Sequence, residues 1–481
     1  MLSACGGGGG SSTSASPATT ANTADPIPAN YLSYQNLCAA PRTGVDAEGK
    51  PFPDRQGTLQ DEMKFLRGWT DATYLWYNEV PGTVHMADFT NTLDYFDALK
   101  TPAKTASGRR KDQFHFTYTT AEWDAMSLRS EDTGYGVTWS VNSLTAPRNW
   151  RVAIVEPGSP AAAAGLQRGD VLATIDGVDF INTNDQTQID KTKAGLYPAT
   201  AGESHTFTVQ RNGAIVTAAL TSAVVTSTPV KNVKVLDTPT GKVGYLSFED
   251  HNAVAEQQLI SAFTNLKSQG VTDLVLDMRY NGGGYLYIAS ELAYMVAGPG
   301  TAGKTFEQLI FNDKTTPEKP TPFYNGVSGT GTPLPYLGLK HVTVLTSSDT
   351  CSASESVING LRGVDVQVDL IGGATCGKPY GFMPEDNCGT TYFSIQFRGV
   401  NAKGFGDYAD GFTPTCNVSD DMAHALGDLA EGMLAAALSY RTSNACPAAT
   451  AASVTSVPTY LARSPLKKIA IYSMSTRMRT R

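Results

Sequence analysis

The sequence predicts an α/β fold with a parallel sheet, and three observations carry that expectation. Lys242 to Asp250 reads as a strand, Ala255 to Ser268 as an amphipathic helix stopped by Gly270, and Val271 to Met278 as a buried strand. The same order recurs later: His341 to Thr346 is β-branched and apolar, Ser354 to Leu361 can run as a helix, and Val364 to Ile371 is a second β run. Strand, helix, strand in that order gives parallel neighbours. At 481 residues the chain is too long for one core, so the α/β unit shares it with other domains.

The second unit is where chemistry gathers. Ser352 stands where a strand turns into a helix, a position that exposes a side chain at a sheet edge beside free backbone N–H groups. The following β run ends in Gly372-Gly373 and delivers Lys378. A serine hydroxyl is a poor nucleophile without a base, and a lysine serves as that base where burial favours its neutral form. The neighbours of Lys378 (Cys376, Gly377, Pro379, Tyr380, Gly381 and Phe382) carry no charge. Taken blind, the pair reads as a helix N-cap and a surface lysine.

Four motifs change that reading. In chain order they are LVLDMRYNGGG from Leu274 to Gly284, SASE from Ser352 to Glu355, GGATCGK ending at Lys378, and DGFTPT from Asp410 to Thr415. Together they resemble the carboxyl-terminal processing (tail-specific) serine peptidase family. The resemblance implies a crotonase-like catalytic domain over residues 229–447, with Ser352 as nucleophile and Lys378 as general base. Its oxyanion donors are the backbone N–H groups of Ala353 and Gly283, with Gly282 and Gly284 as near rivals. Glu355 reads as a structural carboxylate at the helix start. The family commonly has a glutamine four residues after the lysine, where this chain has Phe382, so the third catalytic role is open between Tyr380 and Gln396. A Ser–His arrangement occurs in distant relatives, which brings His251 and His341 into view; His85 and His115 read as structural.

Gly134 to about Val225 resembles a PDZ domain, assigned here to residues 131–228. Val155 to Phe180 carries its helix and turns, and Tyr135, Gly136 and Val137 stand where such domains hold a peptide carboxylate on backbone N–H groups. Ahead of it, residues 30–130 read as an N-terminal helical region, with Leu59, Met63, Leu66, Trp69, Thr73 and Trp76 on one apolar stripe. Residues 1–29 combine a lipobox-like Leu2-Ser3-Ala4-Cys5, with Cys5 as the lipidation site, and a Gly/Ser/Thr linker. Residues 448–481, Ala/Ser/Thr-rich and then basic, read as a disordered tail.

The other cysteines fit an exported, periplasmic or cell-surface bacterial lipoprotein. If Ser352 and Lys378 meet within hydrogen-bonding reach, Cys351 and Cys376 beside them fall close enough for a bridge. Elimination then leaves Cys388 with Cys416 and Cys38 with Cys446. No Cys-x-x-Cys or His-x-x-x-His spacing offers a metal site, and no cofactor is implied. The net charge of −8 gives no footprint for nucleic acid, so the expected partner is a polypeptide substrate, with membrane contact only through the lipid. The expected function is hydrolysis of unfolded or tail-presented polypeptides. The alternatives are a catalytically inactive, lipid-tethered PDZ peptide-binding protein and a crotonase-type acyl-CoA enzyme; the PDZ unit and the lipobox speak against the second.

Overall fold

The computed structural model describes residues 25–447, 460–462 and 477–479. Cys5 and the linker behind it lie outside the described residues.

The N-terminal region is built on α1 (Leu59–Thr73). Thr58 and Asp61 start it reciprocally: the Asp61 N–H donates to Thr58 Oγ1 at 3.2 Å, and the Thr58 N–H to Asp61 Oδ2 at 3.1 Å. Met63, Phe65, Leu66 and Trp69 are buried on one face. Trp76 was expected on that helix but follows its end, packing edge-on against Tyr380 with ring centres 4.9 Å apart. The region is less helical than expected, because Phe116–Thr119 pairs with Thr390–Phe393 of the α/β unit.

The second unit holds β1 (Val137–Val141), β2 (Arg151–Val155), β3 (Val171–Ile175), α2 (Gln186–Leu196), β4 (Ser204–Arg211) and β5 (Ala214–Thr221). Its sheet runs β5-β4-β3-β2-β1 around Trp139, Leu172 and Phe207. No free linker follows it: Ala223–Thr226 pairs with Glu131–Gly134, and the next strand begins at Val230.

The α/β unit comprises β6 (Val230–Thr238), β7 (Gly241–Phe248), α3 (Ala255–Ser268), β8 (Asp273–Asp277), β9 (Gly283–Tyr285), α4 (Leu286–Ala297), β10 (His341–Thr346), α5 (Ala353–Gly363), β11 (Gln367–Gly372), β12 (Tyr380–Gly381), β13 (Cys416–Asn417) and α6 (Gly432–Ser443). The sheet order is β6-β7-β8-β10-β11-β13, parallel from β7 onward. Helices α3, α4 and α5 bury Phe263, Leu292 and Ile358 in one core, and α6 joins Tyr245, Leu345 and Ile371 in another. Each such fully buried side chain contributes about 2 kcal/mol of hydrophobic stabilisation.

Two disulfides differ from expectation. Cys38 joins Cys388 and Cys416 joins Cys446, while Cys351 joins Cys376. The first ties the N-terminal region to the hairpin Glu385–Asn387, a contact that elimination along the chain could not reveal. Of residues 448–481, read as a disordered tail, the structure describes the two short strands β14 (Tyr460–Ala462) and β15 (Arg477–Arg479), and the rest lie outside the described residues.

Glu307 is buried behind α5, where Ser356 Oγ donates to its Oε1 at 3.0 Å. Burial pushes its carboxyl up to about 8. Between pH 5 and 8 the folded chain therefore holds a proton the unfolded chain has lost, and stability falls as pH rises through that window. Glu307→Gln removes this dependence. Urea unfolding should find the variant more stable than the parent at pH 8, by on the order of 3 kcal/mol, and within about 1 kcal/mol of it at pH 5.

Candidate active site

Ser352 closes the turn from β10 into α5. Its backbone takes φ 58° and ψ −118°, a conformation that costs a non-glycine residue about 1–3 kcal/mol and persists only where its surroundings fix it. The side chain is buried, and among the described residues its Oγ has no hydrogen-bond partner.

What fixes the turn is Glu355, one helical turn on. Its Oε2 accepts the Ser352 N–H at 3.0 Å and the Lys378 N–H at 2.8 Å. Its Oε1 accepts the Gly377 N–H at 2.9 Å and the Thr375 hydroxyl at 2.5 Å. Burial pushes this carboxyl above its ordinary range, and the four donors oppose the shift. Thr375 Oγ1 in turn accepts the Phe412 N–H at 2.7 Å, which brings in the fourth motif. One oxygen atom thus spans the backbones of the expected nucleophile and base, and the Cys351–Cys376 bridge closes the same junction with Cα atoms 5.2 Å apart. Joined to each other, these two sulfurs are not thiolates that could ligate a metal beside Glu355.

Lys378 is buried, with Nζ 4.1 Å from the centre of the Phe382 ring and 4.9 Å from that of Phe114. Phe382, where the resemblance led one to look for glutamine, is therefore an aromatic wall against the amine. Gln396 Oε1 accepts the Met383 N–H at 2.7 Å, so this amide is engaged with the backbone of the same segment. Tyr380 lies edge-on to Trp76, and burial raises its phenol.

Facing Ser352's turn is the glycine loop. The Cys351 N–H donates to the Asn281 carbonyl at 3.0 Å, and the Ser354 hydroxyl donates to the same oxygen at 3.0 Å. The Gly283 N–H, expected as an oxyanion donor, donates instead to Asn281 Oδ1 at 2.9 Å. His251 braces the loop: its N–H donates to the Gly283 carbonyl at 3.0 Å, and its carbonyl accepts the Tyr285 N–H at 2.8 Å. Gly284, at φ 140°, lies so close that a Cβ there would come within 2.6 Å of that carbonyl. Burial pulls the His251 imidazole down to about 3, so it stays neutral and its Nδ1 donates to Asn281 Oδ1 at 3.0 Å. His341 lies at the other end of β10 between Asp273 and Asp369, roughly 15 Å of strand from the Ser352 turn. That distance removes it as a base.

A cavity of about 140 Å³ joins Tyr135, Gly136 and Val137 to Gly282 and Gly283. Its position is held by Arg168, which the sequence showed only as part of a turn. This guanidinium donates to Tyr280 Oη at 2.7 Å and to Asp420 at 2.6 Å. Arg279, fully buried beside it, reaches Asp277, Asp420 and Glu431. Asn281, Thr375 and Arg168 all act through neighbours, and only their places inside the motifs signalled them.

Comparison with known proteins agrees with this architecture. Residues 242–383 match the family model of peptidase family S41, and residues 151–211 that of the PDZ domain. The chain is 30% identical over 263 residues to the carboxyl-terminal-processing protease of Picosynechococcus, covering 53% of this chain and 56% of that protein. It is 31% identical over 237 residues to the chloroplastic C-terminal processing peptidase of Tetradesmus obliquus, covering 46% of each. The chain thus spans about half the length of the curated relatives it matches. A crystal structure assigned to an S41 protease from Bacteroides fragilis shares the fold, with TM-score 0.63 and 24% identity over 79% of this chain and 97% of that one. Residues 242–383 thus carry a peptidase family S41 match and residues 151–211 a PDZ match, and over about half its length the chain is similar to carboxyl-terminal-processing proteases.

Proposed function

We propose that the chain is a serine endopeptidase in which Ser352 and Lys378 form the catalytic dyad of a crotonase-like domain, acting on unfolded or tail-presented polypeptides. The observation that carries the reading is the Glu355 carboxylate, whose one oxygen takes the backbone N–H of both residues. The binding-only alternative is not favoured, since serine, lysine and glycine loop meet around one junction.

In this reading the buried Lys378 amine is neutral and takes the proton from Ser352 Oγ as that oxygen attacks a peptide carbonyl. The oxyanion is held by the N–H groups of Ala353, at the start of α5, and of Gly282 or Gly284, since Gly283 serves Asn281. Lys378 passes the proton to the departing amine, then activates the water that hydrolyses the acyl-enzyme. The family's orienting glutamine is replaced by confinement: Phe382 and Phe114 close around the amine, and Tyr380 and Gln396 shape the segment that carries them. The PDZ unit engages substrate by strand addition near Tyr135, Gly136 and Val137. Three disulfides support an exported protein, since such bonds do not persist in a reducing cytoplasm, and Cys5 would anchor it through lipid.

Casein hydrolysis across pH 5 to 9 tests the dyad. Ser352→Ala and Lys378→Ala should each lose at least about 10³-fold in kcat while keeping the parent's melting temperature. Activity surviving in Lys378→Ala would move the base elsewhere. Glu355→Gln sets an NH₂ group against N–H donors, so kcat should fall by about 100-fold and stability by about 1–3 kcal/mol. A Glu355→Gln variant as active as the parent would separate the carboxylate from catalysis.

A further inference from the structure

We propose that the Cys351–Cys376 disulfide is a redox-sensitive positioning device for the dyad: the peptidase works with the bond closed and reversibly loses kcat when a dithiol opens it. The inference rests on the reading that Ser352 and Lys378 are the reacting pair.

The bond sits at the junction where a small shift matters most. Cys351 immediately precedes Ser352, and Cys376 stands two residues before Lys378. The two cysteines are 25 residues apart in sequence, with Cα atoms 5.2 Å apart. Regular structure holds neither flank. β11 ends at Gly372 and β12 begins at Tyr380, so the stretch that carries Lys378 belongs to no strand. On the other flank is the φ 58° turn of Ser352, a strained conformation that relaxes unless its neighbours prevent it. Glu355 and the bridge tie the two flanks together, and Glu355 Oε2 lies 3.5 Å from Cys376 Sγ.

Reduction acts on this junction in two ways. Bonded sulfurs stand about 2 Å apart, and two thiols must separate further. The Cys376 sulfur also gains an S–H, a donor facing the oxygen that already takes the Ser352 and Lys378 N–H groups. The step is thiol–disulfide exchange. A thiolate of the reductant attacks Cys376 Sγ, because that residue is half-buried and Cys351 fully buried. The S–S bond breaks, and Cys351 leaves and takes up a proton. The reductant's second thiol then releases Cys376 as a thiol and closes the reductant's own disulfide, so two electrons pass to the protein. The pairing of β10 with β11 and the Cys376 N–H bond to the Thr350 carbonyl at 3.0 Å remain, which keeps the opened chain folded.

The test follows casein hydrolysis by the full chain when oxidised, reduced with dithiothreitol and reoxidised. Thiol alkylation and mass spectrometry identify the bridges that open. A chelator is present throughout, because two opened thiols beside Glu355 offer three ligands to a stray metal ion. Cys446 is exposed, so the series is repeated on Cys416→Ser/Cys446→Ser, which lacks that second reducible bridge. In both proteins, opening Cys351–Cys376 should lower kcat by about 100-fold with KM changed by less than about threefold, and reoxidation should restore it. Cys351→Ala/Cys376→Ala should show the low rate with or without dithiol. Far-UV circular dichroism should not change. Full activity with the bridge open overturns the proposal, as does a loss that follows only the other bridges, or a bridge that opens only when the chain unfolds. Amide exchange at Gly377 and Lys378 should quicken on opening whether or not the chain cleaves anything. A failure of the peptidase reading therefore shows separately, as casein left intact by the oxidised chain.

Discussion

The site depends on one buried carboxylate. Glu355 joins a helix start, a β-strand exit and the loop of Phe412, because its two oxygens accept three backbone N–H groups and a hydroxyl. A buried carboxylate is costly unless such donors surround it, and these donors belong to the residues whose spacing decides whether a hydroxyl and an amine can meet. The strained turn at Ser352 survives for the same reason: its N–H is held from inside its own helix. The place of Lys378 is set from two sides, its backbone by Glu355 and its amine by the rings of Phe382 and Phe114.

A second cluster sets the glycine loop. Arg279 is fully buried among Asp277, Asp420 and Glu431, and Glu431 also caps α6 by accepting the Leu434 N–H at 2.9 Å. Burying that many charges adds little net stability and imposes one arrangement, because breaking any partner leaves an uncompensated ion. The cluster extends through Asp420 to Arg168, so the PDZ unit is fastened to the loop that runs on into Gly282 and Gly283. The position of the PDZ unit and the shape of the cavity between it and the glycine loop are therefore set by the same charges.

Local information carried much of this in the sequence. Helix α3 spans Ala255–Ser268 as its apolar period indicates, and β10 spans His341–Thr346, because each depends on residues close in the chain. The Ser352 turn and the glycine run were legible from small residues that only a tight backbone needs. What stayed hidden was long-range. The partners of Cys38 and Cys416 depend on how the N-terminal region and α6 fold back. The fate of the Gly283 N–H depends on the rotamer of Asn281, and the role of His251 on a backbone contact made across β9. A motif names the residues of a site; it does not say which of their donors are already engaged.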